Sequence, residues 1–403
     1  MENTHKNTHI GQRIRELRRW RGMSTTLLAD LAGISQPHLS RLERGLRPPT
    51  RRATIDALAN ALRVAVTDIT QDHTHRPDTT RHDIIHDLTD LLSWYPGDSP
   101  EGPVLTPDAV ARAVGQVNSA RHVSDYRTLA SVASDVLPSL LTMYESRSDQ
   151  QRRTAAHHLA DLYQAAMAAL KTLRSSPGLL DLAVAHVRTL AATTSDPQHE
   201  ALAAWMRSQS QGAGRRPRQY AHATSAIRTL EPHSTEPGVP EGLGQVHLSA
   251  ALAAAAMGRR ADAYDHIARA DEIATRVGGT SAWRGLWFGP LNVDVWRLAI
   301  AAELGDHGQV DKLGNRILPR IGELPAAVRR ADVFVEWGRA LLADRRTEQR
   351  GLQLLLRAEQ IAPLIVYRSD VIRSAVASML ERSRAAAGGT ELRGLAHRMR
   401  VTA

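Results

Sequence analysis

Apolar residues along this chain recur at three- and four-residue spacing, the period of a helix face, and no segment shows the alternation of a strand. From about residue 105 onward alanine and leucine carry this period almost without a break. The pattern predicts antiparallel helix pairs at 106–121 with 125–146, 150–173 with 178–194 and 198–211 with 215–230. It continues with 242–257 and 260–277, 285–304 and 307–321, and 326–343 and 348–361, closed by helices at 368–386 and 390–399. Breaks fall at short Gly, Asp or Pro turns and at EPHSTEPGVPEG, residues 231–242. Paired helices at a repeating spacing make an α-solenoid, so the expected fold class is all-α.

The N-terminal part carries a different signal. In STTLLADLAGISQPHLSRLERG, residues 24–45, Ser24 can cap a helix whose apolar positions are Leu27, Leu28 and Leu31. Gly33 stands where the chain must reverse, and glycine tolerates the left-handed backbone that ends a helix. Ser35 caps a second helix with Pro37 in its first turn, where a missing N–H is harmless. Leu39 and Leu42 point to a core, which leaves Gln36, Pro37, His38, Ser40, Arg41 and Arg44 facing outward. Two short helices joined this way are the sequence form of a helix-turn-helix, whose second helix enters the DNA major groove.

About residues 10–70 resemble the phage-repressor/Cro-like (XRE-type) domains. The features that carry the resemblance are IRELRRWRGMS, AGIS at the turn, LSRLERG, and the Leu58/Leu62 stripe, with helices expected at 10–21, 24–32, 35–44, 51–63 and 66–70. The resemblance implies base reading by Gln36, Pro37 and Arg41, with His38 and Ser40 alongside. Gln pairs with adenine and Arg with guanine, while Pro37 offers only apolar contact, as to a thymine methyl. Ser24, Thr25 and Arg51 match phosphate-contacting positions, with Arg13, Arg44 and Arg47 as further phosphate residues. Many relatives carry glutamine where this chain has the shorter Thr25. Arg18 and Glu43 match an ion pair that holds the fold.

Within the solenoid, GLGQVHLSAALAAAAMGRRADAYDHIARADEIATRVG resembles a tetratricopeptide repeat, with Ala251, Ala263 and Ala270 at the small positions and Gly258 at the turn. Two later segments, starting LNVDVW and EWGRAL, repeat the theme less faithfully. Aligned to the repeat, Gln245, Leu248, Leu252, Asn292 and Val295 face a concave groove, and Arg284, Trp287 and Trp296 extend it. Eight of the 16 aromatic residues lie between Tyr264 and Tyr367. They either line a ligand pocket or fill gaps in an alanine-rich core.

Charge sharpens the division. Residues 1–63 hold 12 basic and 5 acidic side chains, net +7, against +9 for all 403 residues. Basic excess confined to one module is the footprint of phosphate-backbone binding. There are no cysteines, which excludes disulfides and thiolate metal sites. No run of 18 apolar residues and no signal peptide is present, which points to a cytoplasmic protein without membrane partners. No phosphate-binding loop, dinucleotide fingerprint, HExxH or nucleophile elbow occurs, so neither an enzyme nor a cofactor is implied. His82 and His86 have metal-ligand spacing but no third partner, so no metal is assigned, and His157–His158 read as surface residues.

The expected order is a DNA-binding domain at 1–70, a linker at 71–104 with one short helix near 82–94, and a helical-repeat sensor and dimerisation domain at 105–403. This order resembles the peptide-sensing quorum regulators. It implies a homodimeric, sequence-specific transcription regulator on an inverted-repeat operator, tuned by a peptide or small signalling molecule. The alternatives are a protein-interaction scaffold tethered to DNA, and a repressor of a mobile element without a small ligand.

Overall fold

The structure is a computed structural model that describes residues 11–19, 21–45, 52–62, 64, 77–95, 98, 105–211, 215–342, 344–367, 369–383, 389–399 and 401. Every regular element among the described residues is helical, apart from a single bridge between Ser281 and Phe288. The chain divides into two compact units, Met1–Asp78 with Tyr367–Ala403, and Thr79–Val366.

The first unit contains α1 (residues 11–19), α2 (Thr25–Leu31), α3 (Gln36–Glu43) and α4 (Arg52–Leu62). Ser24 caps α2 as expected, its Oγ accepting from the Leu27 amide at 3.0 Å. Gly33 takes the left-handed conformation (φ 64°), and the Ile34 amide closes back onto the Ala29 carbonyl at 3.0 Å. Ile14, Leu17, Leu28, Ala29, Ala32, Leu39, Leu42, Leu58, Ala59 and Leu62 form one core. The expected apolar face of α2 is corrected. Leu28, Ala29 and Ala32 point inward, and Leu27 and Leu31 are 47% and 56% exposed. Alanines facing the core let α2 lie close to its neighbours, which rotates the two flanking leucines out. The expected helix at 66–70 lies outside the described residues.

The second unit begins with α5 (Pro77–Leu91). Residues 71–104 are therefore not a plain linker. Ile84, Leu88, Leu91 and Leu92 enter the same core as Val110, Leu129 and Leu159, and the Leu92 carbonyl meets His186 Nε2 at 2.9 Å. Six helix pairs follow. They are α6 (Pro107–His122) with α7 (Tyr126–Tyr144), α8 (Asp149–Thr172) with α9 (Pro177–Thr194), and α10 (Pro197–Ser210) with α11 (Arg216–Leu230). Then come α12 (Val239–Ala256) with α13 (Arg260–Val277), α14 (Pro290–Glu303) with α15 (His307–Ile317), and α16 (Ala327–Leu341) with α17 (Glu348–Ile361). The first helix of each pair packs on the first helix of the next, from α6 through to α16. That row, backed by the second helices, is a helical solenoid. Ala251, Ala263 and Ala270 are fully buried where α12 and α13 approach each other, as the repeat pattern requires.

A short helix, α18 (Pro363–Tyr367), precedes α19 (Asp370–Ser383) and α20 (Thr390–Arg398). These last two do not close the solenoid as expected; they belong to the unit that holds α1–α4. Their apolar stripes, Ile372, Val376 and Met379 on one and Leu392, Leu395 and Met399 on the other, are buried.

Buried histidines give the second unit a pH dependence. Burial, then His266 and Arg269, push the His247 imidazole down to about 3, against about 6.5 in an unfolded chain. Above about pH 6.5 both forms are neutral and stability is flat. Below it the unfolded chain takes up a proton that the folded one refuses, so stability falls through the window down to about pH 3. Thermal melts between pH 7 and pH 5 should show this fall, with a shallower slope for His247→Gln. Parallel slopes for the two proteins would contradict it.

Candidate nucleic-acid interface and inner groove

Helix α3 is short and its two faces differ sharply. Leu39, Leu42 and Glu43 are buried, whereas Gln36, Pro37, Arg41 and Arg44 are exposed and His38 and Ser40 half-buried. The buried acid has a purpose. Arg18 on α1 donates through Nε to Glu43 Oε1 at 2.6 Å and through Nη2 to Oε2 at 2.9 Å, and through Nη1 to the Met23 carbonyl at 2.9 Å. This two-pronged clasp ties α3 to α1 and to the turn before α2. It keeps the charge of Glu43 on the inner side, so that the outer edge carries Gln36, Arg41 and Arg44 with no carboxylate among them. Hydrogen bonding to Glu43 is the largest effect on Arg18 and holds its guanidinium above its ordinary pKa.

Around this edge, Ser24 is exposed and Thr25 half-buried at the start of α2. Arg44 Nε donates to its own helix, at the Ser40 carbonyl, at 3.2 Å. Arg13, expected at a phosphate, has its Nη2 3.0 Å from His397 Nδ1 on α20. Arg47 and Arg51 lie outside the described residues.

The groove residues expected in the solenoid need larger corrections. Leu248 and Val295 are core residues, 0% and 2% exposed. The helices that carry them, α12 and α14, are enclosed by neighbours on several sides, so a face that the repeat alignment puts in a groove is covered. Gln245 donates from Nε2 to the Leu286 carbonyl at 3.1 Å. Arg284 is bound to Asp161 at 3.0 Å, and Trp287 Nε1 donates to His122 Nε2 at 3.2 Å. All three serve the loop between α13 and α14. Leu252 is half-buried against Ala251 and Ile267. Of the aromatic cluster, Phe288, Phe334 and Trp337 are core.

Asn292, expected in the groove, is also buried (3% exposed), and Trp296 beside it is half-buried. Asn292 Oδ1 accepts from Arg329 Nε (3.0 Å) and Nη2 (2.8 Å), while its Nδ2 is buried without a partner. The Arg329 guanidinium lies over the Trp296 ring at 5.0 Å. Asp332, Glu336 and Arg339 continue along α16, with Arg329 bonding Asp332 and Arg339 bonding both Glu336 and Glu303. A polar chain runs along the other helices of the row. Lys171 Nζ donates to Gln209 Oε1 at 2.8 Å, and Gln209 and Gln219 both donate to Ser249 Oγ, at 3.1 and 3.0 Å. Arg216 donates to Gln219 Oε1 at 2.7 Å.

Sequence reasoning missed Lys171, Arg216, Arg329 and Asp332. The Lys171 side chain is exposed, yet loss of hydration, then Arg216, push its pKa down to about 8, against the pull of Asp332. Desolvation of the ammonium disfavours its charged form. One signal was visible in the chain: Gln245, His247 and Ser249 interrupt an otherwise apolar helix, and buried polar groups are informative.

His157, Asp196 and His199 bring their ligating atoms within 4.8 Å of one another, so His157 is not the free surface residue expected. Asp196 Oδ2 lies 3.5 Å from His157 Nε2, while Arg284 Nη2 lies 2.5 Å from Nδ1 on the other side of the ring and brings a guanidinium charge close to the group. Burial, then Arg284, push His199 down to about 4, so it is neutral at ordinary pH. The donor set fits a hydrogen-bonded cluster better than a metal centre.

Residues 9–70 match the family described as a helix-turn-helix domain. The HTH-type transcriptional regulator DdrOP3 of Deinococcus deserti is 36% identical over 97 residues, which is 24% of this chain and 71% of that protein. Among solved structures, the chain aligns with PlcR from Bacillus thuringiensis in complex with the peptide PapR7 and DNA. The identity is 10% and the TM-score 0.29, over 91% of this chain and 99% of that one. It aligns with ComR from Streptococcus suis at 14% identity and a TM-score of 0.16, over 67% and 90%. Neither score establishes a shared arrangement of helices, so the assignment rests on the domain match and on the Deinococcus relative. With the capped α2, the tight turn and the outward polar edge of α3 in place (Ser35 stands at the start of α3 but its side chain makes no capping bond), the chain belongs to the HTH-type transcriptional regulators.

Proposed function

We propose that this regulator binds an inverted-repeat operator as a homodimer, and that an effector on the inner face of the solenoid sets its affinity for DNA. The observation that carries the DNA half is the outer edge of α3, where Gln36, Pro37 and Arg41 stand exposed over a core locked by Arg18 and Glu43. In this reading Arg41 reads a guanine, Gln36 an adenine and Pro37 a thymine methyl, with His38 and Ser40 beside them. Ser24, Thr25, Arg44, Arg47 and Arg51 hold phosphates, and Arg13 joins them by exchanging His397 for a phosphate oxygen. One short helix reads few base pairs, and two half-sites a helical turn apart multiply the affinity. In this reading the protein acts in the cytoplasm, where its operator is.

The effector half rests on the polar side chains Lys171, Arg216, Asn292, Arg329 and Asp332, which interrupt the apolar packing of the solenoid. Charges of both signs and an unpartnered amide suit a peptide backbone or a polar signalling molecule. Its mechanism is a population shift: the effector must bind the operator-competent and incompetent forms with different affinity. Sedimentation of the protein with its selected operator should give two chains per duplex. Titration of a peptide library with and without operator should give different affinities. One chain per duplex removes the dimer, and equal affinities remove the coupling.

A further inference from the structure

The loop between α13 and α14 is strained and reaches back to the first helix pairs of the solenoid. Arg284 (φ 50°) and Trp287 (φ 54°) are left-handed without being glycine, and Gly285 between them has φ 60°. Such residues persist only where surrounding contacts over-determine them. Here those contacts are many. The Ser281 amide donates to the Phe288 carbonyl at 2.8 Å, and Trp283 and Leu286 pack on the core built from α5 to α10. Arg284 Nη1 donates to Asp161 Oδ1 and to the His157 carbonyl, at 3.0 and 3.1 Å. At the tip of the loop, the Gly285 carbonyl accepts from Arg121 Nη2 at 2.9 Å and lies 3.2 Å from His122 Nε2.

Arg121, on α6, is 8% exposed. Its Nη1 donates to Gln164 Oε1 at 2.8 Å, and its Nη2 meets the Gly285 carbonyl and His122 Nε2. Its Nε is buried without a partner. None of these acceptors is a carboxylate: Asp161, the nearby acid, is hydrogen-bonded to Arg284 and reaches Arg121 only through its field. Burial pushes Arg121 down to about 10, so it still carries its charge at neutral pH. A buried guanidinium held only by neutral acceptors is poorly compensated.

The chain itself shows what satisfies this side chain. Arg18 uses Nε and Nη2 together to clasp both oxygens of Glu43. At Arg121, Nη2 meets the Gly285 carbonyl at 2.9 Å, His122 Nε2 at 3.0 Å and the Arg284 carbonyl at 3.5 Å, and Nε alone has no partner. The approach is so close that a Cβ on residue 285 would fall 2.1 Å from Arg121 Nη2, which only glycine avoids.

We infer that the Nε/Nη2 edge of Arg121 is a binding site for a ligand carboxylate, and that the Gly285 carbonyl holds the place of one of its oxygens. A carboxylate supplies an oxygen to the unpartnered Nε and a negative charge in direct contact with the guanidinium, in bidentate geometry. By displacing Gly285 it releases the strain at Arg284 and Trp287 and loosens the hold of the loop on α6 and α8. This deepens the effector reading and rests on it: the effector carries a carboxylate, either at a peptide C-terminus or on a small organic acid.

Hydrogen exchange across residues 279–289 of the full chain tests this. The probes are a tripeptide library with free C-termini, the same library amidated, and sodium acetate. The free-acid library should raise loop exchange by about tenfold, and the amidated library should not. A response to acetate as well assigns the site to small acids; a response to the free peptides alone assigns it to a C-terminus. Arg121→Gln and Arg121→Lys should each abolish the response, the second while keeping the charge. Gly285→Ala and Arg284→Ala should each raise loop exchange with no probe present, which shows that opening is detectable. If both do so while no carboxylate moves the loop, the proposal falls. An effector that alters operator affinity with the loop silent also overturns it, and leaves the regulator reading intact.

Discussion

Glu43→Ala should lose about 3–5 kcal/mol from the N-terminal helices, because it leaves Arg18 buried with no charge to meet it. The side chains of the pair are only 11% and 6% exposed, so water cannot take the place of the carboxylate. Differential scanning calorimetry should show a transition moved to lower temperature. Hydrogen exchange should assign that loss to residues 11–62, with the solenoid helices unaffected. DNA binding should disappear with it, since α3 loses its anchor to α1. The double variant Arg18→Met with Glu43→Leu should regain most of the stability, because apolar side chains of similar volume satisfy the same space. Unchanged exchange across α1 and α3 in Glu43→Ala would contradict the structural role of the pair.

Arg41→Ala should weaken operator binding by about 1–3 kcal/mol, roughly fivefold to 150-fold, and relax the preference at one base pair. Arg41 is exposed on α3, so the substitution leaves the core untouched. The slope of affinity against salt separates its role from that of a phosphate contact. A base reader lost to alanine leaves that slope nearly unchanged, while a lost phosphate contact reduces it by about one. Equal weakening on all DNA sequences would place Arg41 among the phosphate contacts.

Much of this architecture is legible in the sequence because its elements are local. Helix ends follow from Ser24, Gly33 and Pro197, and the paired helices of the solenoid fall within a few residues of their apolar periods. Arg18 and Glu43 were paired by resemblance, and the geometry agrees. The failures are tertiary. Which of Leu27, Leu28 and Leu31 faces inward depends on the alanines that set how close α2 lies. The stripe of Ile84, Leu88 and Leu91 marked a helix in the stretch expected as a linker, and only its packing reveals a core element. Leu248 and Val295 were placed in a groove because a repeat alignment does not show which faces the neighbouring helices cover. No local signal marks the 281–288 loop, whose conformation is imposed by Arg121, Asp161 and Gln245, all distant in sequence.

Selection of bound duplexes from a random DNA pool at physiological salt tests the central claim most directly. The account predicts enrichment of one inverted repeat whose half-sites lie a helical turn apart, with Arg41→Ala losing its preference at a single position in each half. Recovery of DNA with no shared sequence, bound with an affinity set by salt alone, would contradict it.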